Sequence, residues 1–130
     1  MKKYLALSFV VLVLFSGCTI TIADNSGNEI EKSGIISTTE LWDDTTTTYV
    51  VTSWLTISGN VTWKKGITVI AEDEIYVDGN GSLTIEEGVI VKFDAGAYLR
   101  VAVSGSGTLI ADGTSMRPIK FTSNSGVSYW

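Results

Sequence analysis

The chain has no histidine, one cysteine and one proline, and its nine Lys and Arg are outnumbered by 14 Asp and Glu. Each scarcity excludes something. Without His there is no Ser-His-Asp or Cys-His activation of a nucleophile, no His-ligated zinc and no imidazole acid–base step. A formal charge of −5 without a basic cluster argues against nucleic acid as a partner, because that affinity rests on Lys and Arg neutralising phosphates. A lone Cys cannot close an internal disulfide. No apolar run reaches the roughly 20 residues that a spanning helix needs. Nothing in the pattern calls for a cofactor or a metal. What remains is a chain of 130 residues, 45% apolar and rich in Thr, Val, Ile and Ser with 13 Gly. That is one domain's worth of strand-forming sequence.

The first residues stand apart. Met1-Lys2-Lys3 is followed by the apolar run Tyr4 to Phe15 and the small-residue exit Ser16-Gly17-Cys18. A short positive head, about a dozen apolar residues and a small exit make a secretory signal peptide. The exit resembles the lipobox of bacterial lipoproteins, although Phe15 stands where that pattern usually has Leu. The resemblance implies that the Cys18 thiol receives a diacylglyceryl group and that a peptidase cuts just before it. Two or three acyl chains exceed the two signals that stable anchoring takes. Lipidation would also account for an unpaired thiol in an exported chain. The expected mature chain begins at Cys18 and carries seven basic against 14 acidic residues, so the lipid, not charge, would hold it to the membrane. Thr19 is not the Asp that retains such lipoproteins at the inner membrane. The expected location is therefore the cell envelope, at the outer membrane if the source cell has one.

Residues 1–17 thus read as a lipoprotein signal peptide and 18–37 as a polar tether, with turn chemistry at Asp24 to Asn28 and Glu29 to Gly34. From Trp54 to Phe121 apolar pairs recur at alternating positions: Leu55/Ile57, Val61/Trp63, Ile67/Val69, Ile75/Val77, Leu83/Ile85, Val91/Phe93, Leu99/Val101, Leu109/Ala111 and Ile119/Phe121. Spacing of two places both side chains on one face of a strand. Gly, Asn, Asp and Ser separate the pairs. Grouped in threes they describe a growing coil, as in a parallel β-helix whose turns stack about 4.8 Å apart. This register predicts inward files of Val69, Phe93 and Phe121 and of Ile57, Val77 and Val101. The stretch Glu74 to Ile85 would equally make an antiparallel hairpin, so an antiparallel β-sandwich stays open as the alternative.

A second resemblance covers about a third of the chain. Leu83-Thr84-Ile85-Glu86-Glu87-Gly88-Val89-Ile90-Val91-Lys92-Phe93, then Gly107-Thr108-Leu109-Ile110-Ala111-Asp112-Gly113-Thr114, then Pro118-Ile119-Lys120-Phe121-Thr122-Ser123 is similar to the N-terminal coils of exported bacterial right-handed parallel β-helix proteins of the pectate-lyase-like superfamily. The resemblance implies an all-β, right-handed parallel β-helix over 38–130, comprising an N-terminal cap with Trp42 and Tyr49 and the first coils. The catalytic residues of the family's enzymes sit on later coils, so none is carried over. Further coils usually follow the Phe-Thr-Ser segment, and nothing after Phe121 resembles a cap. The expectation is a fragment of a longer product, or a chain that pairs end to end with another copy.

The candidate sites are few. Asp78-Gly79-Asn80-Gly81 has oxygen ligands but lacks the further acids of a calcium loop, and reads first as a tight turn. Glu72-Asp73-Glu74 and Glu86-Glu87 could supply paired carboxylates for glycoside hydrolysis, yet carboxylates at turns are commonly just solvated. Lys64-Lys65 and Arg100 could meet acidic sugars, although two adjacent lysines beside Gly66 read more simply as a polar turn. Trp54 falls on the outward side of Leu55/Ile57, where it either stacks on a sugar ring or covers the helix end; Trp130 is a second stacking candidate. The leading expectation is a lipid-anchored, non-enzymatic envelope protein, a β-helix scaffold or adhesive surface for a polysaccharide or protein ligand. The competing one is the opening section of a polysaccharide lyase or glycoside hydrolase whose catalytic coils are missing.

Overall fold

Alternation of apolar and polar residues over three to six positions is enough to make a strand half-buried, and Gly- or Asp-centred turns end each run before it grows. The computed structural model describes residues 28–126, and in it this pattern yields eleven strands. They are β1 (Glu29–Ile36), β2 (Thr39–Trp42), β3 (Thr48–Ile57), β4 (Asn60–Trp63), β5 (Thr68–Ala71), β6 (Ile75–Val77), β7 (Gly81–Glu86), β8 (Ile90–Phe93), β9 (Leu99–Val101), β10 (Gly107–Asp112) and β11 (Lys120–Ser123).

Every pairing among them is parallel. The strands stack in three columns. The first holds the leading halves of β1 and β3, then β5, β8 and β11. The second holds the trailing halves of β1 and β3, then β6 and β9. The third is β2, β4, β7 and β10. The chain visits the columns in that order and climbs one rung per circuit, which is a parallel β-helix of about four turns. The antiparallel sandwich is thereby set aside: β6 and β7, which would be the two arms of the Glu74–Ile85 hairpin, lie in different columns and pair with other coils.

Register partners Thr48, Thr68, Ile90 and Lys120 mark successive coils of 20, 22 and 30 residues. Inward rows follow directly. Ile57, Val77 and Val101 form one, as expected. Val61, Leu83 and Leu109 form another, and Trp63, Ile85 and Ala111 a third. In the first column the sequence register slips by two: the rows are Val69–Val91–Phe121 and Ala71–Phe93–Ser123. The inward pair of β5 is Val69/Ala71, whereas Ile67 fills a corner with Val89, and Ala71 is too small to announce itself among its larger neighbours. Phe93 and Phe121 nevertheless meet diagonally, rings 6.4 Å apart and inclined by 22°. Such offset pairs contribute about 0.5–1.5 kcal/mol beyond burial.

The corner between the second and third columns is turned by Gly59, Gly81 and Gly107, one per coil. A Cβ on Gly81 would sit 2.1 Å from the Ile57 carbonyl oxygen, and Gly59 and Gly107 face equivalent contacts at 2.2 and 2.1 Å. No side chain fits there, so the glycine file is a steric requirement of close stacking.

The first coil departs from expectation. Residues 29–36, read as tether, are strand β1, paired along β3. Its polar sequence misled because, as the first of the described rungs, it fills inward rows with charged residues that pair with each other. Lys32 occupies the inward row of Val51, and Glu40 that of Val61. The two form an ion pair at 2.8 Å, with the ammonium 5.2 Å from the Trp42 ring centre. Trp42 Nε1 donates to the same Glu40 carboxylate at 2.9 Å. Below them Trp42 stacks on Tyr49 at 5.0 Å and on Trp63 at 5.4 Å. Trp42 and Tyr49 are therefore buried core, and the lid over them is the charge pair. Beneath that lid the core runs through Leu55, Ile75, Leu83 and Val91, all without exposure. At the other end Leu109 is 37% and Phe121 45% exposed, because no described residue lies over them.

Candidate functional site

The groups singled out in the sequence separate into those tied to one another and those turned outward. Glu86 and Glu87 fall in the first set. Lys64 Nζ lies 2.6 Å from Glu86 and Lys65 Nζ 3.1 Å from Glu87, one coil apart at the turn before the first column. Thr114, on the next coil, also donates to Glu87 at 3.0 Å. Hydrogen bonds from Lys64 to Glu86 and from Lys65 to Glu87 hold both carboxyls below the usual range. The candidate acids and bases of this turn thus form ladders with each other, the cross-strand pairing that sheets favour.

Asp78 is a clamp for the β6–β7 turn. It accepts from the Ser104 hydroxyl, from the Ser104 backbone N–H at 2.8 Å and from its neighbour's N–H on Gly79 at 3.0 Å. These bonds, led by the Ser104 hydroxyl, depress its pKa. Asn80 completes the turn at φ 69°, the left-handed region that Asn tolerates better than most residues. Among the described residues, no cluster of three or more metal-ligating side chains is present.

Glu72, Asp73 and Glu74 do not act together. Burial pushes the Glu72 pKa up, reinforced by the charges of Asp94, Glu29 and Glu31. Glu74 turns the other way, onto the outer face of the second column. There Tyr76 Oη donates to Glu74 Oε2 at 2.5 Å, and the hydroxyls of Tyr76 and Tyr98 are 2.9 Å apart. The two rings meet edge to face at 6.0 Å, and the Arg100 guanidinium lies 4.2 Å from the centre of Tyr98. Tyr76 is held far above its ordinary pKa by its bond to Glu74, and Glu74 correspondingly below its own. Trp54 shares this face, half-exposed at 48%. It sits within β3, one residue before inward Leu55, so it does not cover an end of the helix. Sequence reasoning found Trp54 and Arg100 but missed Tyr76 and Tyr98. Their signal was present: Tyr76 lies one residue after inward Ile75 and Tyr98 one residue before inward Leu99, which are register partners on successive coils.

Cys18 and Trp130 lie outside the described residues, as do the signal segment 1–17 and the first part of the tether.

Three stacked parallel columns, a glycine-lined corner and outward ladders of side chains define a β-solenoid protein of the single-stranded parallel type. Residues 55–129 match the family described as the pectate-lyase like beta helix domain, and the chain belongs to that family. No curated protein and no solved structure matches it.

Proposed function

We propose that this is an exported envelope protein, held to a membrane through lipid on Cys18, whose β-helix is a rigid scaffold presenting an adhesive surface rather than a catalytic one. The observation that carries the reading is the outer face of the second column. Its aromatic and charged groups are fixed against each other by hydrogen bonds and a cation–π contact, while Trp54 stands beside them with its ring half in solvent. Recognition surfaces use such rigid, amphipathic rings because ordering them costs little entropy. The carboxylates elsewhere support the same reading, since Glu86, Glu87 and Asp78 are each spent on structural partners. Net charge of −5 favours lipid over electrostatic attachment.

Metabolic labelling with a tritiated fatty acid, followed by cell fractionation, is the test. The chain is expected to carry label and sediment with membranes, and Cys18→Ser to lose the label and become soluble. Unlabelled, soluble wild type would refute the anchor. Cleavage of a polysaccharide by the purified chain would refute the non-catalytic half and favour a lyase or hydrolase.

A further inference from the structure

From the outer face of the second column we infer a binding strip for a neutral, extended glycan laid along the solenoid axis. The inference rests on reading that face as adhesive and names what adheres. Register places the groups in line. Leu55 N–H donates to the Glu74 carbonyl at 2.9 Å and Ile75 N–H to the Tyr98 carbonyl at 2.8 Å, so Trp54, Glu74 and Tyr98 occupy the same point on three successive coils. Thr56, Tyr76 and Arg100 form the adjoining file. Rungs repeat at about 4.8 Å, which sets Trp54 and Tyr98 about 9.6 Å apart along the axis. That separation is close to two pyranose units of a flat, β-linked chain.

The chemistry fits such a chain. A pyranose offers an apolar C–H face and a rim of hydroxyls. Trp54 and Tyr98 offer ring faces or edges for the first, and between them the Glu74 carboxylate accepts and the exposed Arg100 guanidinium donates for the second. Hydrogen bonding holds Tyr76, Tyr98 and Glu74 in place before any ligand arrives, so little ordering cost opposes binding. Charge decides between neutral and acidic sugars. Glu29, Glu31, Glu72 and Asp94 gather at the neighbouring corner, where the first two and the last add to burial in raising the Glu72 pKa, and the whole chain carries −5. A polyuronate would be repelled by that field. A single Arg beside Glu74 does not reverse it.

The test is calorimetric titration of the full chain in detergent with cellohexaose, a neutral β-linked glucan, and in parallel with hexagalacturonate. Cellohexaose is expected to bind, with an affinity that 0.5 M NaCl leaves within about twofold, since exposed charge contributes little. Trp54→Ala is expected to weaken it at least about tenfold, equivalent to about 1.4 kcal/mol; Trp54→Phe should recover most of the loss. Arg100→Ala, on the same strip, should weaken it several-fold, and Leu41→Ser, on the third column's outer face, should not. Tighter binding of hexagalacturonate, no binding of cellohexaose, or binding indifferent to both Trp54→Ala and Arg100→Ala would overturn the inference. Because the titration uses purified protein, failure of lipid attachment at Cys18 would leave its outcome untouched.

Discussion

Two leucines in one inward row give the stacking model a quantitative handle. Leu83 and Leu109 are register partners on adjacent coils. Leu83 has a coil on either side and no exposure; Leu109 is 37% exposed. Leu83→Ala removes buried carbons and leaves a cavity between Val61 and Leu109, which costs about 2–5 kcal/mol. Leu109→Ala loses only partial burial and opens onto solvent, so no closed cavity forms. At about 0.8 kcal/mol per fully buried methylene, scaled for its exposure, that change costs about 1–1.5 kcal/mol. The assay is equilibrium urea unfolding of the full chain followed by tryptophan fluorescence. Slopes should be unchanged, so the midpoints report stability. Equal losses for the two variants, or a Leu83→Ala loss below about 1 kcal/mol, would refute the assignment of Leu83 to a sealed interior row.

The glycine corner predicts that Gly81→Ala lowers stability by about 1–3 kcal/mol, read as a fall in Tm, because its methyl meets a backbone carbonyl that cannot move alone. Asp78 predicts a pH signature. Its folded pKa is depressed, so its contribution is fully present above the ordinary Asp range and is lost as pH falls through the depressed value. Asp78→Asn should therefore flatten the acid limb of a stability–pH curve; an unchanged limb would count against the clamp. At the N-terminal rung, burial alone would raise the Glu40 pKa, but the hydrogen bonds of Lys32 and Trp42 and the Lys32 charge outweigh it. Lys32→Met is expected to cost up to about 1 kcal/mol at neutral pH. It should also raise the Glu40 pKa, visible by carboxyl NMR, and the further change Glu40→Gln should recover part of the stability.

Most of the architecture was legible because each strand carries its own instruction. Paired apolar residues at spacing two, such as Ile75/Val77 and Leu83/Ile85, name their inward face without help from neighbours, and glycines at 59, 81 and 107 mark a corner once per coil. What could not be read was register where side-chain size hides the pattern. Ala71 and Ser123 are inward yet not bulky, which displaced the first column by two residues. The opening coil was invisible for a different reason. The first described rung fills its inward rows with Lys32, Gly34 and Glu40 and satisfies the two charges with an ion pair, so hydrophobic periodicity vanishes there. The outer strip was half legible. Trp54 stands out by residue type, but Tyr76, Tyr98 and Glu74 become one site only when coils 24 residues apart in sequence are laid on each other.

Disulfide trapping reads that laying-on directly. In a Cys18→Ser background, Thr62→Cys with Thr84→Cys places two outward thiols on adjacent rungs of the third column, where partners about 4.8 Å apart are within bridging distance. Tyr76→Cys with Thr84→Cys instead pairs residues that a hairpin with the three-residue loop Gly79–Gly81 would bring face to face but that the solenoid keeps in separate columns. Under mild oxidation and mass spectrometry, the parallel stack predicts a near-complete bridge in the first protein and none in the second. The opposite pattern would contradict it.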